Sequence, residues 1–83
     1  MASQTYSFKC TGGNIAQLYV TYFQTDPPSA NLVSLDNVIT VLQRRSASGA
    51  KFEGAFGVTF WTKGNEALLK WPQGSQMQCQ LAN

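Results

Sequence analysis

The two cysteines of this chain lie near its opposite ends, and each belongs to a segment in which apolar and polar residues alternate. Residues 6–10 place Cys10 on the apolar side of a strand, and residues 76–81 place Cys79 on the apolar side of another. Alternation with period two is typical of a half-buried strand. Both cysteines are therefore predicted to face the interior of a sheet.

This placement favours a disulfide between Cys10 and Cys79 that joins the first strand to the last. The bridge would close a loop of about 70 residues and stabilise the fold by about 4 kcal/mol on the loop-entropy estimate. A chain of 83 residues is near the size at which a single core is only marginally sufficient. The bridge would imply an oxidising compartment such as the periplasm, whereas two buried free thiols in a cytosolic protein remain the alternative.

The segments between the cysteines predict a single all-β domain over residues 1–83. Residues 25–31 contain two prolines and are predicted to be a loop. Residues 32–44 also fit a helical stripe, but their β-branched cluster favours two strands. Seven or eight short strands separated by turn signals indicate a small antiparallel barrel or a sandwich. The further strands are predicted at residues 15–23, 32–35, 38–44, 50–53, 56–61 and 67–71, with turns at 11–14, 36–37 and 72–74.

The apolar run at residues 56–61 is predicted to be one strand. Phe56 and Phe60 would then share an inward face and belong to the core, with Trp61 partly exposed on the other face. Exposed aromatic rings can also stack on sugars or bases. A small carbohydrate- or cell-wall-binding β module that uses Trp61 and Trp71 as stacking rings is therefore the alternative function.

Composition argues against several classes of function. The chain has no histidine, so the usual base partner of a serine or cysteine nucleophile is missing and a zinc site is not expected. Its four carboxylates fall in or beside predicted turns or on outward strand positions, where solvation is the expected role. A net charge of +2 does not indicate a basic surface for binding nucleic acid. We expect a binding protein that is not an enzyme and has no catalytic residues, metal or cofactor.

Two short segments that carry lysine, glycine and a hydroxyl flank the apolar run. They are SASGAKF at residues 46–52 and TKG at residues 62–64. With an early Cys-Thr-Gly-Gly and a late cysteine, the pair resembles the bacterial inhibitors of c-type lysozyme called MliC and PliC, whose motifs are roughly SGSGAKY and YxxxTKG. Val58 stands where the second motif has tyrosine. This resemblance implies an eight-stranded antiparallel β-barrel.

The resemblance also implies a partner and a site. The partner is a c-type lysozyme, and inhibition would defend a bacterium against the host enzyme. Ser48 and Lys63 would contact the catalytic carboxylates in the cleft, since a lysine pairs with an ionised Asp and a serine hydroxyl bonds either carboxyl group. The implied supporting residues are Lys51, Gly49, Ala50, Thr62 and Gly64.

The expected location is periplasmic, or attached to the outer membrane and facing the periplasm or cell surface. The start of the chain shows no secretory-signal pattern, so we expect it to be a mature portion with an initiator methionine. Its apolar runs are too short to span a bilayer. A lipid anchor on a precursor is compatible with the resemblance, and the sequence predicts no oligomeric state.

Overall fold

The computed structural model describes residues 3–13, 15–34, 37–71 and 76–82. These residues form eight strands and one short 3₁₀ turn, Ala55–Gly57. Of the predicted turns, Asn14, Asp36 and residues 72–74 lie outside the described residues, and Asn37, predicted to lie in a turn, begins a strand instead. The strands are β1 (Gln4–Thr11), β2 (Gln17–Phe23), β3 (Ser29–Ser34), β4 (Asn37–Arg44), β5 (Ala50–Glu53), β6 (Thr59–Lys63), β7 (Glu66–Lys70) and β8 (Gln76–Leu81).

The strands close into an antiparallel barrel. Each strand pairs with the next along the chain, and β1 pairs with β8 to complete the ring. Cys10 and Cys79 are direct partners in that last pairing, and a disulfide joins them. The predicted barrel and bridge are confirmed, and the free-thiol and sandwich alternatives are wrong. Closure leaves the first and last strands without an unpaired edge.

Apolar side chains from the strands fill the interior of the barrel. The rings of Phe8 and Phe60 meet edge to face, with their centroids 5.5 Å apart. Residues 32–34 and 37–44 lie in strands that contribute side chains to this core, so the helical alternative is wrong for them. The largest fully buried side chains are Phe60, Leu18, Leu32, Leu69, Val20, Val41 and Val58.

The up-and-down order of the strands gives the barrel two distinct ends. Each connection joins neighbouring antiparallel strands, so successive connections alternate between the ends. Residues 45–49, between β4 and β5, and residues 64–65, between β6 and β7, share one end, which we call the motif end. Residues 54–58, between β5 and β6, lie at the opposite end.

The predicted beginnings of β2 and β3 are wrong. β2 begins at Gln17 rather than at residue 15, and Ala16, inside the predicted strand, is exposed. The Ala16 carbonyl accepts a hydrogen bond from the Cys10 N–H, so this residue closes the β1–β2 connection instead. β3 begins at Ser29, inside the predicted loop, because residues 29–31 pair with β2 while both prolines stay outside the strand.

The prediction for Phe56 is also wrong. Its side chain is 88% exposed, whereas Phe60 is buried as predicted, and so is Val58. The Gly54 N–H donates to the Val58 carbonyl at 2.9 Å, and the Val58 N–H donates to the Ala55 carbonyl at 3.2 Å. These bonds close a turn before β6 begins, so the ring of Phe56 projects beyond the strands.

Candidate functional site

The pairing of β5 with β6 brings the two sequence motifs together. Ala50 is the direct partner of Thr62, and Lys51 is the direct partner of Trp61. The loop at residues 46–49 therefore enters β5 beside the strand that ends in Lys63. Segments that are more than ten residues apart in the sequence meet at the motif end.

Gly49 fixes how closely this loop approaches β6. Its φ is +68°, a left-handed conformation that side-chain-bearing residues adopt at a cost. A Cβ atom at this position would collide with the backbone carbonyl oxygen of Thr62. Only glycine fits here without displacing the loop or the strand.

The carbonyl of Ser48 is held by two donors. The Trp61 indole Nε1–H donates to it at 2.8 Å, and the Ser46 hydroxyl donates to it at 2.6 Å. The hydroxyl of Ser48 itself makes no hydrogen bond within the described part of the chain, and the residue is exposed. The loop thus fixes the Ser48 backbone while leaving its side chain available to a partner.

Lys63 presents an available positive charge at the end of β6. It is exposed, and no carboxylate of the described residues lies within ion-pair distance of its ammonium. Glu66, its cross-strand partner on β7, does not form that pair. Gly64 follows with a φ of +63° and begins the tight turn into β7. The ammonium is therefore placed on a strand end without an internal partner.

Lys51 is placed differently from Lys63. Its Nζ lies 3.3 Å from the Glu53 carboxylate and 5.3 Å from the centroid of the Trp61 ring. The same carboxylate is 3.9 Å from Nε of Arg44. Lys51 already has an anionic and an aromatic neighbour on the barrel wall, so its charge is less available than that of Lys63.

A surface groove of about 770 Å³ opens beside Ser48 and Lys63. It crosses the outer faces of four strands, from β6 over β7 and β8 to β1. Trp61 and Leu68 supply its apolar lining, and the polar lining includes Lys9 and Gln78. Ser48 and Lys63 therefore border a concave surface.

The sequence predicted a role for Trp61 only as a stacking ring of the carbohydrate-binding alternative, and none in the lysozyme-binding site. The signal that identifies it is its position, immediately before the Thr-Lys-Gly segment and one strand across from Lys51. In hairpin register, that position directs the indole toward the loop that precedes β5. The hydrogen bond to Ser48 depends on side-chain geometry that alternation alone does not specify.

The described residues show neither a metal-binding group of three acidic, histidine or cysteine side chains nor a helix long and apolar enough to cross a membrane. Among known proteins, no curated protein and no solved structure matches this chain. A family model described as the membrane-bound lysozyme inhibitor of c-type lysozyme, MliC, matches residues 8–78. The match runs from within β1 to within β8. The chain belongs to this family, whose members are protein inhibitors of c-type lysozyme, not enzymes, and whose description points to a membrane-attached location.

Proposed function

We propose that this protein blocks the active-site cleft of c-type lysozyme with its motif end. The loop at residues 46–49 enters the cleft, and Ser48 and Lys63 contact the catalytic carboxyl groups. One observation carries the proposal: a hydroxyl and an ammonium that have no partner among the described residues stand on adjoining backbone segments, which strand pairing and the Trp61 hydrogen bond hold together. Ordered groups of this kind bind with a small loss of conformational entropy.

The two side chains suit the chemistry of the cleft. C-type lysozyme works with one carboxylic acid that stays protonated and one carboxylate that is ionised. The ammonium of Lys63 pairs with the ionised group, and the hydroxyl of Ser48 donates to or accepts from either. Both contacts replace water on the enzyme's reacting groups. Inhibition needs no chemical reaction.

The neighbouring residues support this insertion in different ways. Gly49 and Gly64 take left-handed backbone conformations, and Ala50 adds little bulk at the entry to β5. Thr62 lies opposite Ala50 and holds the strand edge against which Gly49 packs. Small side chains allow the backbone to approach the walls of a groove shaped for sugar rings. Lys51 contributes positive charge at the border of the contact.

We further propose that the protein faces the periplasm or the cell surface. A c-type lysozyme from a host reaches a bacterium from outside, so an inhibitor is useful only where that enzyme arrives. The Cys10–Cys79 disulfide supports an oxidising compartment. A membrane attachment on that side would keep the inhibitor close to the cell wall.

The carbohydrate-binding alternative receives less support. It requires exposed rings at Trp61 and Trp71, and both side chains are partly buried. Trp71 packs against the core, and the ring of Trp61 is covered on one face by Lys51. Retention of the protein on peptidoglycan in the absence of lysozyme would favour this alternative.

A lysis assay tests the proposal. The parent protein is titrated into c-type lysozymes acting on bacterial cell walls, beside the double variant Ser48→Ala/Lys63→Met. We expect the parent to inhibit at micromolar concentration or below and the double variant to lose inhibition while remaining folded. Equal inhibition by both proteins would contradict the assigned residues, and no inhibition by the parent would contradict the function.

A further inference from the structure

We propose that Trp61 is a positioning residue that holds the inhibitory loop in its binding shape through the indole N–H. This inference rests on the function proposed above, because the loop is the element that enters the cleft. Trp61 itself need not touch lysozyme. Its role is to keep the Ser48 backbone at one distance from β6.

The loop has few attachments to the barrel besides its covalent ends. The indole of Trp61 reaches the Ser48 carbonyl at 2.8 Å from the neighbouring strand. The second donor to that carbonyl, Ser46, belongs to the loop itself and so does not tie it to the barrel. The close approach of Gly49 to the Thr62 carbonyl restricts the loop but supplies no attraction of its own. Within the described ranges, the indole N–H therefore makes the one side-chain hydrogen bond that joins the loop to β6.

The indole is itself held in place. Lys51 lies across from it on β5 and sets its ammonium over the ring, and Glu53 pairs with that ammonium at 3.3 Å. On the other side, Leu68 of β7 is the cross-strand partner of Trp61. A ring flanked in this way has fewer rotamers available, so its N–H stays directed at the loop. Lys51 thereby acts on the loop through the ring.

Loss of this bond should act on the free protein before it meets lysozyme. A loop that visits several shapes binds only from the competent fraction, so the apparent affinity falls by that fraction. The contacts made in the complex stay the same. The fall should therefore appear in the association rate, whereas loss of a direct contact such as Lys63 should appear mainly in the dissociation rate.

The variant Trp61→Phe tests this proposal. It keeps a six-membered aromatic ring and removes the five-membered ring that carries the N–H donor. Trp71→Phe is the matched control, since Trp71 is a half-buried tryptophan at the opposite end of the barrel. For Trp61→Phe we expect association with lysozyme to slow by about fivefold to tenfold, the range set by one net hydrogen bond. Its dissociation rate should change by less than twofold, and Trp71→Phe should leave both rates unchanged.

Hydrogen exchange without lysozyme separates this inference from the proposed function. In Trp61→Phe the backbone amides of residues 46–49 should exchange faster than in the parent, and those of β7 should not. In the unmodified protein the indole N–H of Trp61 should exchange more slowly than the indole N–H of free tryptophan. Parent-like loop exchange and association rates in Trp61→Phe would overturn the inference, as would an indole that exchanges at the free rate. If loop exchange responds in Trp61→Phe but the parent protein does not inhibit lysozyme, the proposed function alone fails.

Discussion

The β5–β6 hairpin has its two ends at opposite ends of the barrel, and they are built in different ways. At the motif end, side chains and a close backbone contact fix the loop at residues 46–49, and polar groups of Ser48 and Lys63 remain available. At the opposite end, two backbone hydrogen bonds close the turn at residues 54–58 and an aromatic ring points into solvent. One hairpin thus combines an ordered polar surface with a simple reversal of the chain.

The two ends share one conformational feature, a glycine with a positive φ. Gly49 and Gly57 both have positive φ, +68° and +78°. A side chain at Gly49 would meet the Thr62 carbonyl, whereas nothing lies within 4 Å of the corresponding position at Gly57. Positive φ alone therefore does not identify a binding loop. Close packing of the loop against a neighbouring strand distinguishes the motif end.

The largest expected effect concerns the available cation at the motif end. Lys63→Met should weaken binding to lysozyme by about 2–5 kcal/mol, because it strands a desolvated carboxylate on the enzyme. Lys70→Met is the matched control, since Lys70 is an exposed lysine at the end of β7 on the opposite side of the barrel. Titration calorimetry with lysozyme checks both variants. Equal losses of affinity in Lys63→Met and Lys70→Met would contradict the proposed difference between the two ends of the barrel.

Next in size is the effect of adding a methyl group at each of two glycines, Gly49 and Gly57. Alanine with positive φ costs about 1–2 kcal/mol of folding free energy at either position. Gly49→Ala should in addition displace the loop and weaken inhibition at least tenfold, whereas Gly57→Ala should inhibit like the parent. Denaturant unfolding together with inhibition assays separates the two effects. If Gly49→Ala inhibited as well as the parent, the loop would tolerate displacement and this prediction would be wrong.

A smaller effect is expected at the lysine that already has neighbours. Lys51→Met removes an ion pair with Glu53 that is largely solvated, so the direct loss is about 1 kcal/mol or less. The variant should weaken inhibition less than Lys63→Met does, by a slower association rate. Surface plasmon resonance resolves the two rates. A loss equal to that of Lys63→Met would place Lys51 in direct contact with the enzyme.

The smallest effect on inhibition is expected at the opposite end. Phe56 has a φ of +60°, a conformation that asparagine tolerates better than a bulky aromatic residue. Phe56→Asn should raise the free energy of unfolding by about 0.5–1 kcal/mol and leave inhibition unchanged. Chemical denaturation and the lysis assay are the two readouts. A clear loss of inhibition would extend the binding surface to the far end of the hairpin.

Alternation and the positions of Cys10 and Cys79 predicted an all-β fold, either a barrel or a sandwich, with its end strands bridged, and the family resemblance implied the barrel. The bridge could be predicted because two inward-facing cysteines in so small a core have few other partners. The same reasoning failed at Phe56, since alternation of Phe56, Val58 and Phe60 looks identical whether or not the first belongs to the strand. The glycines at 54 and 57, on either side of Phe56, were the available signal of a turn.

Ser48 and Lys63 were identified through the family resemblance of the two motifs. The pairing of β5 with β6 explains why the two motifs lie side by side. Their different availability could not be predicted from the sequence. Whether a lysine has an internal partner depends on which side chains share its face, as Glu53 does with Lys51. The hydrogen bond from Trp61 to the Ser48 carbonyl likewise requires the three-dimensional course of the loop.

The most direct test of the account is an NMR footprint of the ¹⁵N-labelled protein titrated with unlabelled c-type lysozyme. We predict that amide signals of residues 46–51 and 61–64 shift or broaden, and that those of residues 54–58 do not. This pattern would place the enzyme at the motif end of the hairpin. Perturbation centred on residues 54–58, with the motif end unaffected, would contradict the account.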